Sequence, residues 1–314
     1  MRHLLEVDDL SADELRYVLD LASCPAASAP AVLAGVGVAL VFEKASNRTR
    51  NSMEMAVTQL GGHPVYIRPE EVGIDVRETA EDVVRTLACY HSIVAARVFR
   101  HDHLVRMAAC EVAPVVNLLS DEAHPCQALA DLLTIDQCLG LEGTERVAFV
   151  GDANNVWRSL AIGCALLGIP SSLAAPDGYG PSAATLDRLA ALGGECTVTT
   201  DPVEAVKSAD VVCTDVWTSM GQEDERSERL AAFADYQVDG ALMAQAGDRA
   251  VFLHCLPAHR GEEVAAEVID GSSSRVWRQA ANRMHAARGL LAFLGGPAGI
   301  PAGEASTPAP ESVR

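Results

Sequence analysis

Residues 46–50 read Ser46-Asn47-Arg48-Thr49-Arg50. They lie between the apolar run Val38-Ala39-Leu40-Val41-Phe42 and a segment whose Met53, Ala56, Val57 and Leu60 recur at helical spacing. A strand that enters a helix through hydroxyls and guanidiniums gathers three things at one point: the unpaired N–H groups of the first turn, the positive end of the helix dipole, and fork-shaped donors. Such a point binds phosphate. The same residues also make an ordinary helix start, with Ser46 as N-cap and both arginines in solvent, so the segment alone leaves both readings open.

In open α/β sheets ligands gather at the carboxyl ends of strands, so the polar residues after each apolar run are the ones to read. Arg97 closes one run. Pro114-Val115-Val116-Asn117 leads to His124-Pro125-Cys126-Gln127. Proline suits a first helical turn there, and His124 and Gln127, three apart, share the face where an anion or a polarised carbonyl would lie. A capping histidine is the plainer alternative. Val147-Ala148-Phe149-Val150 runs into Gly151-Asp152-Ala153-Asn154-Asn155-Val156. This turn lacks the three glycines of a dinucleotide fingerprint, which disfavours a nicotinamide cofactor. Its asparagines can exchange hydrogen bonds with a zwitterion or simply form the turn.

Two further runs end at Asp215-Val216-Trp217-Thr218-Ser219-Met220-Gly221 and at His254-Cys255-Leu256-Pro257. A carboxylate and a hydroxyl on one loop can receive an ammonium group, and a cysteine beside a proline-fixed turn can meet the same ligand from the next strand. Asp215 could equally cap a turn, and Cys255 could be one more buried thiol. Adjacent His254 and Cys255 lack the paired spacing of structural zinc sites, so no metal is expected.

The elements that must position these groups alternate along the chain. Strand-like runs at 36–42, 63–67, 92–97 and 114–117, then 146–150, 171–175, 196–199, 210–214 and 250–254, are separated by helical patterns. This is the signature of parallel sheets covered by helices, an α/β architecture. At 314 residues and 49% apolar content the chain can build two cores. The polar, Gly-containing break at 140–145 marks the boundary between domains 1–139 and 140–275. Residues 275–294 carry Val276, Ala280, Met284, Ala287, Leu291 and Leu294 at helical spacing and predict a long terminal helix. Residues 295–314 have little to bury and are expected to be disordered. No internal repeat is evident.

Composition narrows the partner. A net charge of −19 repels polyanions, so nucleic acid is excluded, and any anionic ligand must be held by a local concentration of arginine. No run approaches the roughly 20 apolar residues of a membrane span, and Met1-Arg2-His3-Leu4-Leu5-Glu6 does not open a signal peptide, so a cytoplasmic location is expected. The nine cysteines are scattered, without a Cys-x-x-Cys pair, and read mostly as small core residues in a reducing compartment.

Taken together and in order, the Ser-x-Arg-Thr-Arg, His-Pro-x-Gln, Asp-x-Asn-Asn, Ser-Met-Gly and His-Cys-Leu-Pro segments resemble the carbamoyltransferase family, specifically its ornithine branch. The resemblance extends over residues 4–294. It implies two doubly wound parallel-sheet domains with the active site in the cleft between them, and a C-terminal helix (276–294) packed back on the first domain. It implies no cofactor and no metal. Carried over by position, Ser46, Asn47, Arg48 and Thr49 would hold the phosphate of carbamoyl phosphate. Arg97, His124 and Arg283 would reach its carbamoyl oxygen or phosphate, and Gln127 its amide. Asn155, Asp215, Ser219 and Met220 would seat the α-groups of L-ornithine, with Cys255 and Leu256 near the nucleophilic amine. The implied reaction is attack of the neutral δ-amine on the carbamoyl carbon, giving citrulline and phosphate, in arginine biosynthesis or in citrulline breakdown. The family's trimers share active sites, which here points to a neighbour's loop within residues 70–79.

Departures from the family pattern are Asn47 for threonine, Met53 for phenylalanine, Ala281 for a glutamate before Asn282-Arg283, and the bulky Trp157-Arg158 before Ser159. Loss of the glutamate would loosen Arg283, and Trp157 would narrow the cleft. Rival readings are a sister enzyme using putrescine, N-acetylornithine or aspartate, a catalytically idle paralogue, and a nucleotide-binding regulator. The intact set Arg48, His124, Asp215 and Cys255 speaks against idleness, and the missing glycines speak against a nucleotide.

Overall fold

The computed structural model describes residues 1–218 and 223–296, and in it the nine apolar runs form nine strands in two parallel sheets. The first sheet comprises β1 (Gly37–Phe42), β2 (His63–Ile67), β3 (His91–Arg97) and β4 (Val115–Leu119) in the order β2-β1-β3-β4. Its helices are α1 (Ala12–Ser23), α2 (Asn47–Gln59), α3 (Pro69–Val72), α4 (Ala80–Ala88), α5 (His101–Ala109) and α6 (Pro125–Leu139). The second sheet comprises β5 (Val147–Val150), β6 (Ser171–Ala174), β7 (Cys196–Thr199), β8 (Val211–Thr214) and β9 (Val251–His254) in the order β7-β6-β5-β8-β9. With it come α7 (Asn155–Leu167), α8 (Ala183–Ala191), α9 (Pro202–Val206), α10 (Arg226–Ala232), α11 (Gly240–Met243) and α12 (Ala266–Ile269), and the chain then enters the long α13 (Val276–Gly295).

The runs become strands because both faces of each central strand are covered. Val38 through Phe42 are all buried, as are all residues of β5, β8 and β9, so uninterrupted apolar sequence is required there in place of alternation. Each sheet reverses strand order once, between β1 and β3 and between β5 and β8, and such reversals open a crevice at the carboxyl ends.

α13 follows the second sheet in sequence but packs on α1, α2 and α6 of the first. Gly289 permits the contact with α1, because a Cβ there would come within 2.5 Å of the Val18 carbonyl. Arg288, buried beside it, donates to the Ala22 carbonyl and to Gln59 Oε1, both at 2.9 Å. Among the described residues no helix is long and apolar enough to cross a membrane. Of the nine free cysteines Cys126, Cys164 and Cys213 are buried and Cys110, Cys196 and Cys255 pack partly buried against the hydrophobic clusters, while Cys24 and Cys89 are exposed. The side chains of these last two sit where helix ends reach solvent. The tail expected to be disordered lies, from residue 297 onward, outside the described residues.

Candidate functional site

The loops after β1, β3 and β4 face those after β5, β8 and β9 across a cleft of about 820 Å³. On the first side Ser46 caps α2, its Oγ accepting the Thr49 N–H at 3.4 Å. The N-cap of the plainer reading is thus present, but Arg48 of the same turn lines the cleft and, of the two arginines, only Arg50 is exposed. Arg97 ends β3 and lines it too, as does His124, the residue immediately before α6, with Pro125 as the first helical residue.

Arg283 arrives from α13. Its two terminal nitrogens donate to Gln127 Oε1 at 2.6 Å and to Thr49 Oγ1 at 2.7 Å, which aims the guanidinium at the cleft from behind α2 and α6. Gln127 in turn donates to Asp131 Oδ1 at 2.7 Å, and Gln279 Nε2 donates to the same oxygen at 2.6 Å. Gln279 Oε1 accepts the His254 N–H at 2.8 Å, so one buried network ties α2, α6 and α13 to the start of the His-Cys-Leu-Pro segment. Asp131 is pushed up to about 6, chiefly by burial, with Gln279, Gln127 and the Arg283 charge opposing.

Three guanidiniums in one partly desolvated pocket repel one another. Burial, Arg283 and Arg48 bring Arg97 down to about 10. Burial and the same three arginines hold His124 well below the usual histidine range, so its imidazole is neutral at physiological pH. Arg48 Nε and His124 Nδ1 are buried without a hydrogen-bond partner among the described residues. Surplus positive charge and unspent polar atoms at one point call for a small anion, in a chain whose net charge is −19.

The opposite wall is built for a cation or a neutral amine. Cys255 Sγ donates to Asp215 Oδ1 at 3.0 Å, and Asn154 Nδ2 donates to Asp215 Oδ2 at 2.8 Å. Burial first, then the Asp215 charge, pushes the Cys255 thiol well above its ordinary range, so it stays protonated. Gly151, at φ +140, turns the chain out of β5 so that Asn154 can cap α7 through its Oδ1, which accepts the N–H groups of Val156 and Trp157 at 3.0 Å. Asn155 Nδ2 reaches across to the Ser120 carbonyl at 2.6 Å, joining the two halves of the cleft. Leu256 takes φ +60, a left-handed conformation costly for a branched residue. Its N–H is held by His254 Nδ1 at 2.9 Å. With Nδ1 accepting, His254 donates from Nε2 to Glu263 Oε1 at 3.1 Å, and both ring nitrogens are committed within the protein, which leaves none for a metal.

The structure thus brings Ser46, Asn47, Arg48, Thr49, Arg97, His124, Asn155, Asp215, Cys255, Leu256 and Arg283 to one cleft. Gln127 lies behind it, its amide spent on Arg283 and Asp131. Ser219 and Met220 lie outside the described residues. Two expectations are corrected. Trp157 is 2% exposed in the core below α7 and does not narrow the cleft. Arg283 is held by Gln127 and Thr49, while Ala281 is exposed, so a glutamate at that position is not needed for its orientation.

Sequence reading missed Asn154 as the partner of Asp215, although its N-cap position was a usable signal. It also missed Arg229, buried on α10 at the far end of the cleft. Arg229 donates to Asp152 Oδ2 at 2.7 Å and to the Trp217 carbonyl at 3.1 Å, and lies 5.1 Å from the Tyr179 ring centre. Arg229 lies well beyond the end of β8, inside α10, so inspection of the residues that directly follow strands could not find it.

Known proteins resemble this chain over most of its length. Residues 2–137 match the family model described as "Aspartate/ornithine carbamoyltransferase, carbamoyl-P binding domain", and residues 144–294 match the "Asp/Orn binding domain" of the same family. The chain is 46% identical over 293 residues to an ornithine carbamoyltransferase of Haloquadratum walsbyi, covering 93% of this chain and 97% of that protein. The solved ornithine carbamoyltransferase from Pyrococcus furiosus superposes with a TM-score of 0.87 at 41% identity, covering 93% of this chain and 96% of that one. The Thermus thermophilus structure does so with 0.84 at 41% identity, covering 94% and 99%.

Proposed function

The chain belongs to the aspartate/ornithine carbamoyltransferase family, and from that premise we propose that it transfers the carbamoyl group of carbamoyl phosphate to the δ-amine of L-ornithine, giving L-citrulline and phosphate. The protein is a carbamoyl-group transferase. The observation that carries the reading is one cleft with Arg48, Arg97, Arg283 and a neutral His124 on one wall and the Asp215–Cys255–Asn154 cluster on the other.

Residues 1–139 with α13 bind carbamoyl phosphate in this reading, and residues 140–275 bind ornithine. The α2 N–H groups, the hydroxyls of Ser46 and Thr49, the Asn47 amide and the Arg48 fork take the phosphate. Arg97, His124 and Arg283 face the carbamoyl oxygen, where charge develops as the amine adds. Their donors meet the tetrahedral oxyanion without reorganising. Gln127 acts by holding Arg283. Asn155, Asp215, Ser219 and Met220 receive the α-amino and α-carboxyl groups, with Cys255 and Leu256 beside the δ-nitrogen. The N–C bond forms, the C–O bond to phosphate breaks, and the amine's proton leaves through Asp215 and Cys255 or through the departing phosphate. Holding the two substrates face to face supplies the remaining acceleration.

The enzyme works in this reading as a cytoplasmic homotrimer in arginine biosynthesis or citrulline breakdown, with residues 70–79 of a neighbouring copy closing each cleft. Val76 in that segment is 88% exposed, an apolar side chain that a neighbour would cover. Sedimentation at three times 33.1 kDa tests the assembly. The decisive assay supplies carbamoyl phosphate with ornithine, putrescine, N-acetylornithine or aspartate in parallel. Citrulline from ornithine alone is expected, and turnover with another amine would overturn the second-substrate assignment.

A further inference from the structure

A buried carboxyl near the amino terminus has no part in the chemistry above. Glu6 is 3% exposed, and its Oε1 accepts both the Val7 N–H and the Ser159 hydroxyl at 2.8 Å. Ser159, fully buried on α7, accepts the N–H of His124 at 2.9 Å. A chain of hydrogen bonds therefore runs from the amino-terminal segment into the first helix of the second sheet. It then returns to the residue that carries the neutral imidazole of the anion pocket.

We propose that Glu6 is a positioning residue for the carbamoyl-phosphate site, acting through Ser159 to fix the His124 peptide and with it the direction of the imidazole. This rests on the reading of His124 as a ligand of carbamoyl phosphate. An ionised carboxylate can only accept, so it obliges the Ser159 hydroxyl to donate toward Glu6 and leaves a serine lone pair for the His124 N–H. A protonated Glu6 can donate instead, and the hydroxyl is then free to turn.

The switch between these states falls near neutrality. Burial raises the Glu6 carboxyl to about 7, against the Val7 N–H, the Ser159 hydroxyl and the Arg158 charge, with Asp8 adding to the rise. The other charged groups facing it are Asp9 on its own turn and Arg188 of α8, which Asp8 holds in a two-pronged pair. Glu6 Oε2 has no hydrogen-bond partner among the described residues, so half of the charge is uncompensated when the group ionises.

The test is steady-state kinetics of the full chain from pH 6 to 8.5 with Glu6→Ala, Glu6→Gln, Ser159→Ala, the Glu6→Ala/Ser159→Ala double variant and His124→Ala, together with the 15N-histidine spectrum. Glu6→Ala and Ser159→Ala should each raise KM for carbamoyl phosphate three- to tenfold while KM for ornithine stays within twofold. Glu6→Gln, which keeps an acceptor, should return it to within twofold of the parent. The double variant should be no worse than Ser159→Ala, because one cut already breaks the chain. In the unmodified protein the His124 amide resonance, assigned by its loss in His124→Ala, should titrate near pH 7 and be flat in Glu6→Gln. Unchanged KM in both single variants, additive effects in the double variant, or a flat His124 resonance would overturn the proposal if His124→Ala itself raises KM. If His124→Ala does not raise KM, it is the assignment of His124 that fails, and the proposal falls with it. Should Glu6→Ala not fold, Ser159→Ala and the spectrum of the unmodified protein still decide.

Discussion

Replacing Arg97 by alanine should separate catalysis from stability. Arg97 is 7% exposed at the end of β3, and burial with Arg283 and Arg48 lowers its guanidinium from 12.5 to about 10. That shift corresponds to about 3 kcal/mol of unfavourable free energy stored in the unliganded pocket at neutral pH. Removing the charge releases this stored energy and offsets the packing lost with the side chain, so the unliganded variant should melt at or above the parent's temperature. The oxyanion loses a donor, which costs about 2.7–4 kcal/mol in the barrier, a fall in turnover of a hundredfold or more. Carbamoyl phosphate at 100 times its Kd should stabilise the parent by about 2.7 kcal/mol, and a tenfold weaker Kd would cut that to about 1.4 kcal/mol. Citrulline formation and thermal melts with and without carbamoyl phosphate measure all three effects. Near-normal turnover would remove Arg97 from the site. A melting temperature several degrees lower without ligand would show that the arginine supports the fold and that the repulsion argument is wrong.

Cys255→Ala should raise KM for ornithine and lower turnover more than it weakens carbamoyl phosphate, because the thiol donates to Asp215 on the far wall; equal effects on both substrates in initial-rate kinetics would contradict that role. An alkylating reagent at neutral pH should modify the exposed Cys24 and Cys89 before Cys255, whose thiol burial and Asp215 keep protonated, and peptide mapping by mass spectrometry reads the order. Raised carboxyls stabilise the fold most below their unfolded values and lose that contribution as pH climbs through the folded value, which for Glu6 spans 4.5 to about 7. The loss is on the order of 3 kcal/mol, while His124, held neutral by burial, acts in the opposite direction below its ordinary range. The stability advantage of the parent over Glu6→Gln should therefore shrink from pH 5 to pH 7.5 in denaturant titrations, and a constant gap would refute the assignment.

Much of the architecture was readable locally. The central strands were visible as apolar runs, because a strand buried on both faces needs continuous hydrophobicity whatever lies beyond it, while the partly exposed edge strands β2 and β7 showed through their short β-branched or aromatic stretches. Ser46 and Pro125 marked the starts of α2 and α6 through capping and first-turn preferences that act over a few residues. Strand-end residues such as Arg97, Asp215 and Cys255 could be picked out for the same reason. Arg229 could not, because it lies within α10, far past the end of β8. The consequences ascribed to Trp157 and Ala281 were misjudged, because whether a side chain faces a cleft, a core or solvent depends on the rotation of its helix against neighbours remote in sequence.

By itself, then, the sequence determined the α/β alternation, the helix starts and the kinds of groups available at the strand ends, since those follow from periodicity and capping within a few residues. Tertiary structure alone decided which of those groups meet. Arg283 is 234 residues from Thr49 in the chain, yet bonds to it because α13 crosses back onto the first sheet and close contact at Gly289 seats it there. The Glu6–Ser159–His124 chain likewise exists only because two sheets distant in sequence bury one seam, where an unpaired polar group is costly and the Ser159 hydroxyl bridges the Glu6 carboxylate and the His124 N–H.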